Sequence, residues 1–143
     1  PRFEQRRGSD SAIVDLRAHV HHAASIYRGR AGQLLRELIA LGQEDSQTSL
    51  RLRTDFVEPR RAAAIQLLQR ALASGELPPH TDIDVLADAL WGPIFHRLLV
   101  SRAPIDRGFI DRLLDLVLGG VMRPATGAAQ GLAYSSAKDG SQS

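Results

Sequence analysis

The chain has no cysteine. A disulfide framework, a thiolate nucleophile and a Cys-ligated zinc are therefore excluded, and nothing argues for an oxidising compartment. Lysine is nearly absent too, since Lys138 stands alone among arginines, which reads first as compositional bias. Charge of one sign is equally lacking. Eighteen Lys and Arg against sixteen Asp and Glu leave a net charge of +2, too little for the whole surface to grip phosphates. No apolar run approaches a membrane span, and residues 1–20 lack the apolar core of a signal peptide. No membrane partner and a cytoplasmic location are the expectation. Catalytic signatures are missing as well: there is no GxSxG, phosphate loop, dinucleotide fingerprint or HExxH. We therefore expect neither an enzyme nor a bound cofactor.

What is present is helical periodicity. At 143 residues the chain suffices for one domain with a core. No segment sustains period-two alternation, and Gly and Pro divide the sequence into helical lengths. From Ser11, the residues Leu16, Val20, Ala23 and Tyr27 form one stripe, flanked by Ile13 and Ala24. Gly29 and Gly32 interrupt it. A short helix from Gln33 to Leu41 should turn Leu34, Leu35, Leu38 and Leu41 inward and stop at Gly42. Asp45 or Ser46 should cap a long helix to about Ser74, kinked near Phe56–Arg60 by Pro59. Gly75 supplies a left-handed stop, and Pro78-Pro79 prevents continuation. Thr81 or Asp82 opens a helix to about Val100. Asp106 caps the last, with Ile105 and Ile110 as a hydrophobic staple, and Gly119-Gly120 ends it. The fold class is all-α, with about five helices.

The last two helices carry more apolar surface than one short chain can hide. In the first, Ile83, Leu86, Ala87, Leu90, Trp91, Ile94 and Leu98 face inward. Asp84 and Asp88 lie to one side, and Phe95 and Leu99 point almost the same way as those acids, later along the helix. In the second, Phe109, Ile110, Leu113, Leu114, Leu116, Val117, Leu118 and Val121 cover an arc of roughly 200°, twice what a one-sided helix needs. Paired with a second copy, the two helices make a two-fold four-helix bundle. Phe95, Leu99, Phe109, Leu113, Leu116 and Val117 are the expected interface of a homodimer. The other apolar faces, including Leu35, Ala63 and the stripe from Leu16 to Tyr27, enclose the rest of the core.

His19, His21 and His22 invite a metal reading, with Asp15 one turn before His19. They lie on the polar flank of their helix and are read as a solvated face, so no metal site is expected. Arg60-Arg61 is read as surface or ion-paired charge, and no helix-turn-helix is found in residues 1–60.

The run Asp55-Phe56-Val57-Glu58-Pro59-Arg60-Arg61, then Arg70-Ala71, Gly75-Glu76-Leu77, Asp82, Gly92-Pro93, Arg97-Leu98-Leu99, Pro104-Ile105 and Gly119-Gly120-Val121, resembles the C-terminal regulatory domain of TetR-family transcriptional repressors. Upstream, Asp15-Leu16 and Gly32-Gln33-Leu34-Leu35 extend the likeness, which covers about residues 10–122. The resemblance implies a domain that binds a small effector and dimerises through its last two helices. Operator DNA would be gripped by an N-terminal helix-turn-helix that this chain lacks. It places the effector cavity at Leu16, Val20, Tyr27, Leu38, Phe56, Leu67, Trp91 and Ile94, and an apolar ligand is expected there, with His19 and Tyr27 as its hydrogen-bonding groups. Residues 1–10 read as a linker from the missing DNA-binding segment, residues 11–122 as the effector and dimerisation domain, and residues 123–143 as a disordered tail. The opening Pro1-Arg2-Phe3, without an initiator Met, reads as the interior of a longer protein. A helical homodimerisation module without a cavity is the alternative.

Overall fold

A computed structural model describes residues 10–42, 47, 50–51 and 53–122. The linker up to residue 9, the cap expected at Asp45 or Ser46 and the tail from residue 123 lie outside them, as does the side chain of Phe56. The described residues are helical, with no strand among them: α1 (Ala12–Arg28), α2 (Arg30–Gly42), α3 (Glu58–Ala73), α4 (Ile83–His96) and α5 (Arg107–Met122). Two π-helical turns interrupt the pattern, Arg53–Val57 before α3 and Arg97–Ser101 after α4.

Helix α1 is the axis of the fold and packs on α2, α3 and α5. Its expected stripe is sealed: Leu16, Val20, Ala23, Ala24 and Tyr27 are all buried. Each large side chain so buried contributes roughly 1.5–3 kcal/mol. The start of α1 is held from outside its own sequence. Ser11 accepts a hydrogen bond from the Val14 N–H (3.3 Å) and donates its hydroxyl to the Glu76 carboxylate. That carboxylate also accepts the N–H groups of Ala12 (3.0 Å) and Ile13 (3.4 Å). Glu76 can reach them because Gly75, at φ +82°, turns the chain back after α3.

Helix α2 leaves α1 so closely that a Cβ on Gly32 would lie 1.8 Å from the Tyr27 carbonyl oxygen. This contact fixes the rotation of α2. Leu35 is fully buried, while Leu38 and Ile39 pack against the core. The expectation that Leu34 and Leu41 also turn inward is corrected: they are 46% and 61% exposed. The apolar arc of α2 is wider than the face that Gly32 aims at α1.

Pro59 disturbs the helix where expected, but by another route. The chain widens into the π turn at Arg53–Val57, and α3 restarts with Pro59 in its first turn. There its missing N–H leaves no bond unmade. The caps of α4 and α5 are Asp82, accepting from the Val85 N–H at 3.1 Å, and Asp106, accepting from the Phe109 N–H at 2.8 Å. Ile105 and Ile110 are both buried, as a staple requires. Helix α5 runs through Gly119-Gly120 to Met122, since neither glycine adopts a positive φ.

Candidate functional site

One cleft of about 290 Å³ opens between the end of α1, the first π turn, the first turn of α3 and one side of α4. It is lined by Tyr27, Val57, Arg60, Arg61, Asp88, Trp91, Gly92 and Phe95. The four α4 residues fall at helical spacing, so a single helix side supplies half the wall. Phe95 is half-buried, and its ring lies 5.7 Å from that of Tyr27 and 6.4 Å from that of Trp91. Gly92 leaves the floor open, because a Cβ there would meet nothing within 4 Å.

The polar groups around this cleft are arranged unequally. Arg61 is committed to two carboxylates, Asp84 at 2.7 Å and Asp88 at 3.0 Å. The Arg60 guanidinium lies 5.4 Å from the centre of the Tyr27 ring. Burial pushes the Tyr27 hydroxyl above its ordinary pKa, and the Arg60 charge opposes the rise. The Tyr27 hydroxyl and the Trp91 Nε1 are buried and make no hydrogen bond of normal geometry among the described residues. Leaving such a group unpaired costs about 1–3 kcal/mol. His19 stands edge-on to Trp91 (5.9 Å between rings), with its Nε2 3.2 Å from the Arg60 carbonyl oxygen. Burial holds its pKa below the usual histidine value, and only then does the Arg60 carbonyl oppose that.

Of the expected cavity residues, the structure brings Tyr27 and Trp91 to this cleft. Leu16, Val20 and Ile94 are fully buried core, and Leu38 and Leu67 pack against that core, so none of these five lines it. Val57, Arg60, Arg61, Asp88, Gly92 and Phe95 were missed. Their common signal was legible only in part: Asp88, Trp91, Gly92 and Phe95 share a helix side, but which chain segment faces them is a tertiary fact. The polar-flank reading of the histidines is corrected for His19, which is half-buried against Trp91. Asp15 pairs with Arg70, and His21 Nε2 sits 2.7 Å from Asp111. His22 is exposed. Asp15, His19 and His21 thus point to three different places.

A second surface runs along α4 and α5. Val85, Leu86, Ala89, Val117 and Val121 line a groove of about 370 Å³, together with Pro78, His80, Thr81 and Asp82. Val85 is 60% exposed and Leu116, on the outer side of α5, 77%. Of the residues expected at an interface, Phe109 and Leu113 are instead buried in this chain's own core, and the Arg97 guanidinium stacks on Phe109 at 3.8 Å. Phe95 belongs to the cleft, while Leu99 and Val117 are half-buried. His96 is exposed on the side of α4 that carries Val85 and Ala89.

An all-α domain with an aromatic-walled cleft beside one helix and spare apolar surface on its last two is thus defined. Residues 8–117 match the family described as "Tetracyclin repressor-like, C-terminal domain". The chain belongs to the TetR family and corresponds to its C-terminal domain. It is 34% identical over 122 residues to an uncharacterized HTH-type transcriptional regulator of Bacillus subtilis (strain 168), YdeS, covering 85% of this chain and 61% of that protein. The crystal structure of the TetR family transcription regulator SCO0332 superposes with a TM-score of 0.70 at 33% identity, over 82% of this chain and 64% of that one. The chain therefore spans less than two thirds of the length of these relatives. No helix among the described residues is long and apolar enough to cross a membrane.

Proposed function

We propose that this domain binds a small, largely apolar and aromatic effector in the Tyr27–Trp91 cleft. In the same proposal it pairs with a second copy through α4 and α5, and so controls operator DNA binding by an N-terminal helix-turn-helix outside this chain. The supporting observation is the cleft itself, an apolar space walled by Tyr27 and Trp91, where the buried Trp91 Nε1 makes no hydrogen bond among the described residues. A pure dimerisation module has no use for an aromatic-walled cleft of this kind. The Trp91 Nε1 can only donate, and the Tyr27 hydroxyl can donate, so an effector carrying a carbonyl or similar acceptor satisfies them once the half-buried Phe95 ring yields. The mechanism is a population shift, in which the effector fits one arrangement of the paired domains better than another.

Trp91 is the sole tryptophan, so its fluorescence reports the cleft directly. With anilinonaphthalene sulfonate as probe, titration should quench Trp91 and saturate. Gly92→Leu, which places a side chain in the open floor, should weaken the probe's binding at least tenfold while helix content is kept. Equal binding by wild type and Gly92→Leu would remove the cleft from the reading.

A further inference from the structure

A second cleft, of about 310 Å³, lies on the other side of Tyr27 and collects Arg28, Arg36, Arg97 and Arg102. Four arginines line this one concave site, Arg97 with its guanidinium also stacked on Phe109, and the one acid in the lining, Asp106, accepts the Phe109 N–H at the N-terminus of α5. Two of the arginines are pinned. Arg97 donates to the Pro104 carbonyl and Arg28 to the Ile105 carbonyl, each at 2.8 Å. Their remaining N–H groups are therefore held in place rather than swept through solvent. Arg36 and Arg102 make no ion pair among the described residues. Arg102 also holds a left-handed backbone (φ 59°, ψ 15°) directly after the π turn Arg97–Ser101. A left-handed non-glycine residue costs about 1–2 kcal/mol, and both strain of this kind and π turns concentrate at functional positions.

We infer that this arginine cleft binds a phosphate-bearing small molecule, at a site separate from the aromatic cleft. A dianion offsets more of the accumulated charge than a monocarboxylate, and guanidinium forks match phosphate oxygens two at a time. A phosphate alone does not fill about 310 Å³, and Leu98, Ala103 and Pro104 in the lining supply an apolar wall for the carbons attached to it. The site is a cleft partly walled by residues 102–106, not a ridge, so it suits one phosphoryl group rather than the row presented by a nucleic acid.

The unfolding temperature of this chain, measured in glucose 6-phosphate, in inorganic phosphate and in sodium chloride at matched ionic strength, tests the inference. Both phosphates should raise it by a few degrees over chloride. Arg36→Gln should weaken phosphate binding about tenfold or more. Arg102→Gly relieves the left-handed strain, so it should keep or raise the unfolding temperature in chloride while losing most of the phosphate response. A fold damaged by substitution cannot produce that pair of results. Equal stabilisation by chloride and phosphate, or an undiminished phosphate response in both variants, overturns the site. Displacement of glucose 6-phosphate by a short random-sequence DNA duplex at comparable concentration would overturn the small-molecule assignment in favour of a nucleic-acid backbone.

Discussion

Tyr27 concentrates the competing demands on this fold in one side chain. Its ring is core, 3% exposed, and its backbone carbonyl is the surface against which Gly32 seats α2. Its hydroxyl, by contrast, is buried with no partner of normal geometry. A side chain chosen only for stability would be Phe, which keeps the ring contact with Phe95 and the Arg60 guanidinium over its face. Tyr27→Phe should therefore stabilise the chain by about 1 kcal/mol, because it removes a desolvated hydroxyl and leaves the packing intact. Urea unfolding with an unchanged m-value is the measurement; a loss of stability would show that the hydroxyl is bonded in the free protein. At this scale the sequence was a partial guide. The α1 stripe could be read from spacing alone, because one helix decides it. Arg60, Arg61 and Val57 could not, because they reach the cleft only when the π turn before α3 brings them opposite α4. Phe95 shows the same limit. Its direction, shared with Asp88, was legible, but whether that direction met another chain or Arg61 and Tyr27 was not.

Among the elements, the caps were the most legible features and α2 the least. Gly75, Asp82 and Asp106 each act through neighbours a few residues away, and all three sit where residue type demands. Leu34 and Leu41 were misplaced because the rotation of α2 is set by the close approach of Gly32 to α1, which no periodicity encodes. Glu76 was a similar miss. It follows a helix end in sequence, yet it caps a different helix, accepting the Ser11 hydroxyl and the N–H groups of Ala12 and Ile13. A carboxylate at a helix N-terminus is favoured by the unpaired N–H groups and the helix dipole. The hydrogen bond from Ser11 is the largest cause holding its pKa below the ordinary 4.5, ahead of the opposing effect of burial. A depressed folded-state pKa means stability present above the unfolded value and lost as pH falls through the folded one. Glu76→Gln should therefore lower the unfolding temperature by a few degrees at pH 7. The gap between wild type and variant should close as pH falls below about 4.5, the unperturbed carboxylate value. A gap that persists unchanged at pH 3 would mean that the charge of Glu76 does not hold α1.

The whole molecule is organised around the two roles of α4. One side carries Asp88, Trp91, Gly92 and Phe95 into the aromatic cleft, and the adjacent side presents Val85, Ala89 and His96 outward. A ligand that shifts Trp91 or Phe95 therefore shifts the surface proposed for a second copy, with no longer route required. That surface is apolar and continuous with Val117 and Val121 of α5, and large exposed apolar patches on soluble proteins are interaction sites. The proposed pairing face is thus narrower than the sequence implied. Phe109 and Leu113 serve the chain's own core, so a charge at either should unfold the domain rather than split a dimer. Val85→Glu and Leu116→Glu are the informative variants, since both positions are more than half exposed and neither side chain is needed for the core. Sedimentation equilibrium should give twice the chain mass for wild type. Each variant should run as a monomer with unchanged helical circular dichroism. Intact dimers from both variants would place the interface elsewhere. Aggregation of the wild type without a defined dimer would mean that the groove is covered by some other partner. If the variants dissociate as expected, Trp91 quenching by the cleft probe in the monomers measures how much of the cleft's affinity depends on pairing. Coupling through α4 requires that affinity to change.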